Sequence, residues 1–164
     1  MTELDHVWSK MLEDALPDAS GDVAEYLRLK ATNDAIRRIG VRWLFDTMIE
    51  IAGREMGARP HLNIELVEPH SFKHGNSNMV GRLASFRLGV RCLTVEAGWA
   101  RTPSDGIMRN GSLAVARISH FGKPKHGAEL RFVHGDDLPK WLDAIGNTAD
   151  PALFEEHFTI LLSD

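Results

Sequence analysis

Residues 79–100, MVGRLASFRLGVRCLTVEAGWA, read as β-strand over 22 positions. An ordinary strand runs roughly 3–10 residues, so one straight strand does not account for the stretch. Gly89 stands at its centre. A two-residue turn at Gly89-Val90, glycine first, suits a type II′ hairpin, because glycine takes the positive φ that this position needs at no steric cost. The turn sets a register with Leu88 opposite Arg91 and Phe86 opposite Leu93. Phe86, Leu88, Leu93, Val95, Ala97 and Trp99 then share one face. Leu83, Ser85, Arg87, Cys92, Thr94 and Glu96 share the other. A single bulged strand is the alternative.

Further strands flank the hairpin. In HLNIELVE, Leu62, Ile64 and Leu66 alternate with Asn63 and Glu65, while PHSFKHGNSN after it reads as a polar loop. RTPSDGIMRNG reads as a loop, SLAVARISHF as a fourth strand, GKPKHG as a turn and AELRFVH as a fifth strand. Outside this centre the apolar period changes to that of a helix. Leu4, Val7, Trp8, Met11, Leu12, Ala15 and Leu16 mark one helical face, ended at Pro17. A second helix starts near Asp22 as N-cap, and TND at 32–34 is its point of interruption, since Asn and Asp compete for backbone hydrogen bonds. The pattern resumes from Ile36 to Met56 and closes at Gly57 and Pro60. Near the end, DLPKWLDAI puts Leu138, Trp141, Leu142 and Ile145 on one helical face. DPALFEEHFTILLS has Asp150 as N-cap, Pro151 at the first helical position and a stripe of Phe154, Phe158, Leu161 and Leu162.

Helices, then strands, then helices spell an α+β fold with a mostly antiparallel sheet of about five strands. A length of 164 residues suits one domain over 1–164: helical at 1–57, strand-rich and basic at 61–134, helical and acidic at 137–163. Hydrophobic residues at 43% and charged residues at 26% exclude global disorder. Cys92 is the only cysteine, so no internal disulfide forms, which fits a reducing compartment. The acidic start MTELDHVWSKMLEDAL is unlike a signal peptide, and no apolar run reaches the roughly 20 residues of a membrane span. We expect a cytoplasmic protein with no membrane partner.

The formal charge of −4 hides a division. Residues 70–135 carry ten Lys/Arg against three Asp/Glu, net +7, while residues 1–57 are net −4 and residues 136–164 net −6. Seven of the ten basic residues are arginines, whose planar fork suits phosphate and stacks on bases. The first expectation is therefore a non-enzymatic binding protein whose strands and loops recognise an anionic partner, nucleic acid above all. Arg87 and Arg91 act from strands, and Arg101, Arg109, Lys123 and Lys125 from loops. Against tight nonspecific binding stands the net negative charge, which repels polyanions at long range. The competing explanation is that acidic helices, or a second subunit, neutralise the basic strands. Self-association as a homo-oligomer is thus a further expectation.

Chemistry-bearing residues are sparse. Glu96 reads as the counter-ion of a neighbouring arginine, since a cationic surrounding lowers a carboxylate pKa and disfavours a general acid. Glu96 and His120 are the secondary catalytic candidates. His70 and His74 have a spacing of four but lie in a predicted loop, so no metal is expected; they stay the secondary metal candidates. A small metal-dependent hydrolase using His70, His74, Glu96 and His120 at one edge of the sheet is the alternative function. HExxH, GxGxxG and Walker A patterns are missing from the sequence, so no cofactor is implied. AEYLRLKATNDAIRRIGVRW allows a helix-turn-helix reading with Arg37, Arg38 and Arg42, which the apolar run after it opposes.

Overall fold

The computed structural model describes residues 20–108 and 111–163. The helix expected over 4–16 lies outside them, as does Arg109. The architecture is α+β: a long helix α1 (Ser20–Ala58), six strands, and a helix α2 (Pro151–Leu162). The strands are β1 (Asn63–His74), β2 (Ser77–Leu88), β3 (Arg91–Trp99), β4 (Ala114–His120), β5 (Ala128–Val133) and β6 (Lys140–Leu142). They form one antiparallel meander in the order β1-β2-β3-β4-β5-β6. The count is six rather than about five.

The chain divides into two compact units, Met1–Ile39 and Gly40–Asp164. In the first, the expected break at TND does not occur. Thr32 turns its hydroxyl onto the Arg28 carbonyl one helical turn back, at 2.9 Å, and Asp34 takes Arg37 as an ion-pair partner at 2.8 Å. Both polar side chains are thus satisfied without leaving the helix, the Thr32 hydroxyl sharing a carbonyl one turn back. An uninterrupted helix also rules out the helix-turn-helix reading.

In the second unit, the hairpin register is the one the alternation dictates: Leu88 faces Arg91, Phe86 faces Leu93, and Gly89 has φ +64. The face holding Phe86, Leu93, Val95, Ala97 and Trp99 is buried. Leu44, Phe45, Met48 and Ile51 of α1 join it in the core, with Phe154, Phe158 and Leu161 of α2. Phe158 meets Phe86 edge-on at 5.0 Å between ring centroids. Gly40 lets the helix backbone lie against the sheet. A Cβ there would fall 2.4 Å from the Phe132 ring, and its carbonyl accepts the Trp141 indole N–H at 3.0 Å.

Two elements differ from expectation. The segment 69–74, expected as loop, continues β1 past a register shift between Val67 and His70, and the strand turns at Gly75, whose φ is +60. Pro69 has no N–H to give the ladder, so pairing skips it and resumes. DLPKWLDAI is not a helix: Lys140–Leu142 pairs with β5 as strand β6. Leu138 and Ile145, read as part of an apolar face, are 75% and 83% exposed. The Asp143 carboxylate accepts the N–H groups of Ile145 and Asn147, and this turn holds the chain out of helix. Asp150 caps α2 as expected, accepting the Leu153 N–H at 3.1 Å.

Candidate functional site

Residues 40–58 of α1, together with α2, pack against one face of the sheet. The other, here the outer face, carries Glu96, Arg117, Glu129 and Arg131. Leu83, Glu96, Arg117 and Glu129 lie in one row across β2, β3, β4 and β5. Gly81, Gly98, Val115, Arg131 and Leu142 form the next row. His70 pairs with Gly81 in register, and since Gly81 has no side chain, the imidazole passes over β2 to Glu96 on β3. His70 Nε2 lies 2.8 Å from Glu96 Oε2, and Arg117 Nη1 donates to Glu96 Oε1 at 3.1 Å. The chain of charges continues from Arg117 Nε to Glu129 at 3.7 Å and from Glu129 to His74 Nε2 at 3.8 Å. Arg117 also donates to the Lys73 carbonyl at 3.4 Å.

Glu96 is thus paired with an arginine, but the arginine is Arg117 on β4, with His70 on its second oxygen. Arg87 and Arg91, the neighbours in sequence, are elsewhere. Of the four residues assigned to the hydrolase alternative, His70, His74 and Glu96 share the outer face. His120 does not; it pairs in register with Leu93 and points to the helix side. Among the described residues no group of three or more His, Cys, Asp or Glu is placed to hold a metal ion.

The five anion-binding candidates among the described residues, Arg87, Arg91, Arg101, Lys123 and Lys125, do not form one cluster. Arg101 lies at the β1–β2 turn end of the sheet, with its guanidinium on the Val80 carbonyl at 2.9 Å and 3.7 Å above the Trp99 ring. Arg91 donates to the Ser163 carbonyl beyond the last turn of α2, where a cation offsets the helix dipole. Arg87 is exposed at the end of β2, and Lys123 and Lys125 lie in the β4–β5 turn. The Phe121 N–H donates to the Cys92 carbonyl, which ties this turn to the β2–β3 hairpin. The same end of the sheet exposes Val90 at 86% and Phe121 at 76%. Cys92 is a free, buried thiol.

Sequence reasoning missed a second pair. His120 on β4 and His157 on α2, each 6% exposed, share a hydrogen bond of 2.9 Å between Nε2 and Nδ1, with rings stacked at 5.1 Å. The His126 ring stands 6.1 Å from that of His120. Burial pushes the His120 pKa from 6.5 down to about 4, helped by His157, His126 and Lys123; burial also lowers that of His157, against Glu156. A signal was available: His157 sits among Phe154, Phe158 and Leu161 at helical spacing, on the stripe that becomes core. Comparison with protein-family models, with curated proteins and with solved structures returns no match.

Proposed function

We propose that the protein is a non-enzymatic binding protein that meets an anionic partner, nucleic acid in the first instance, at the end of the sheet built by the β2–β3 and β4–β5 turns. One observation carries the reading. The meander brings Arg87, Lys123 and Lys125 to one end of the sheet together with exposed Phe121 and Val90. Cations that track a phosphate backbone beside an exposed aromatic on which a base can stack are what a single-stranded polymer requires. Most other sheet arginines are engaged within the chain: Arg82 with Glu68, Arg101 with Val80 and Arg117 with Glu96. The surface is therefore smaller than the +7 of residues 70–135 implies. A cytoplasmic location goes with this reading. Among the described residues no helix is long and apolar enough to cross a membrane.

The test is fluorescence anisotropy with labelled single-stranded and double-stranded oligonucleotides. Three to four phosphate contacts predict a loss of roughly 20- to 50-fold between about 50 and 200 mM salt. Lys123→Glu with Lys125→Glu should abolish binding and Phe121→Ala should weaken it. Binding unaffected by these changes, or none at the lower salt, refutes the reading.

Self-association has an observation of its own. β1 is a 12-residue edge strand, and it exposes Leu66 and Val67. Open edges of this kind pair with a second chain. A sedimentation measurement giving a monomer at high protein concentration would remove it.

A further inference from the structure

A groove of about 810 Å³ opens over the outer face of the sheet, a volume in the range of small-molecule sites. Val115 and Arg131, register partners on β4 and β5, lie on its floor; Met79, Ile107 and Met108 line its walls. Ser77 and Ser112 add hydroxyls. The charges along it are unequal in their commitments. Glu129 is held between Arg117 and His74. Asp143 accepts the backbone N–H groups of Ile145 and Asn147 at 3.0 and 2.9 Å. Arg131 is half-buried, yet among the described residues it has no hydrogen-bond or ion-pair partner. A guanidinium so placed presents a planar set of donors to whatever enters the groove, and a carboxylate accepts two of them in parallel.

We propose that this groove binds an amphipathic carboxylate, an aliphatic chain ending in one carboxyl group. Arg131 anchors the carboxylate, and the chain lies against Met79, Met108, Ile107 and Val115. The methionines suit a flexible chain because they repack around irregular apolar shapes. The site is distinct from the basic turn end: Arg131 lies in the row of Val115 and Leu142, while Lys123 and Lys125 lie in the β4–β5 turn.

The experiment is calorimetric titration of the full chain with octanoate and with octan-1-ol, which has the same chain length and no charge. Octanoate should bind at least about tenfold more tightly, the minimum expected of a charge-assisted pair. Backbone amide resonances of Ser112, Val115 and Arg131 should shift with octanoate. Arg131→Gln should bring octanoate down to the level of the alcohol, and Lys123→Ala with Lys125→Ala should leave it unchanged, which separates this site from the nucleic-acid surface. Equal binding of acid and alcohol to the wild-type chain, no octanoate binding, or shifts confined to other residues would overturn the proposal, and the two-probe comparison does so even if Arg131→Gln fails to fold.

Discussion

Acidification should loosen the contact between α2 and the sheet through the buried pair His120–His157. The folded pKa of His120, about 4, lies below its unfolded value of 6.5. Between these limits the unfolded chain binds a proton that the folded chain refuses, so stability is full above about pH 6.5 and declines as pH falls toward 4. Each pKa unit is worth about 1.4 kcal/mol, so the fall from 6.5 to about 4 amounts to about 3 kcal/mol from His120 alone. His157 acts in the same direction. The loss is a large part of the 5–15 kcal/mol, roughly, that holds a typical domain folded. The assay is urea denaturation followed by tryptophan fluorescence at intervals from about pH 7.5 to 4, for the wild type and for the double variant His120→Leu with His157→Leu. Replacing both partners removes the hydrogen bond and the titrating groups together, which is far less damaging than orphaning one of them. The remaining titrating groups are common to both proteins, so the difference between the two curves isolates the pair. Relative to the double variant, the wild type should lose at least about 3 kcal/mol as pH drops from 6.5 to 4. Parallel curves would refute the argument.

Three further outcomes are expected. Gly81→Ala should destabilise the sheet by about 1–3 kcal/mol, as overpacking does, because a Cβ there would fall 1.8 Å from the Ala97 carbonyl oxygen, backbone that cannot rotate away; thermal denaturation reads it. Glu96→Ala and Arg117→Ala, measured singly and together by urea denaturation, should show a coupling of about 0.5–1 kcal/mol, the scale of a cross-strand ion pair in partial contact with solvent. Asp150→Ala should cost about 1 kcal/mol of stability by removing the acceptor of the Leu153 N–H, and Asp150→Asn should restore most of it.

The features legible in the chain share a property: their information is local. Gly89 inside an alternating run specifies the turn, and the turn specifies the register of β2 on β3. Asp150 and Pro151 specify the start of α2. The features that only pairing reveals also share one. Lys140–Leu142 is three residues long, too short to display an alternation, and is strand only because β5 offers it a ladder. Segment 69–74 is polar because its outward residues face water and charge, so its extension as strand depends on pairing with β2.

The candidate sites divide along the same line. The acidic and basic blocks, the counter-ion role of Glu96 and the α+β order of elements are written in the residues themselves, because composition, period and turn chemistry act over a few neighbours. The partner of Glu96 is not. Arg117 lies 21 residues away, across a connection from Ala100 to Leu113 whose length sets no register, and only the β3–β4 pairing places the two side by side. The meeting of His120 with His157, 37 residues apart, likewise waits on the packing of α2 against the sheet. The sequence by itself determined the class of the fold, the central hairpin and the α2 cap; the tertiary structure alone decided which charges meet, which histidines are buried and where a half-buried arginine is left to face a groove. Long-range register and packing depend on the whole apolar surface being buried at once, and no short window of the chain contains that condition.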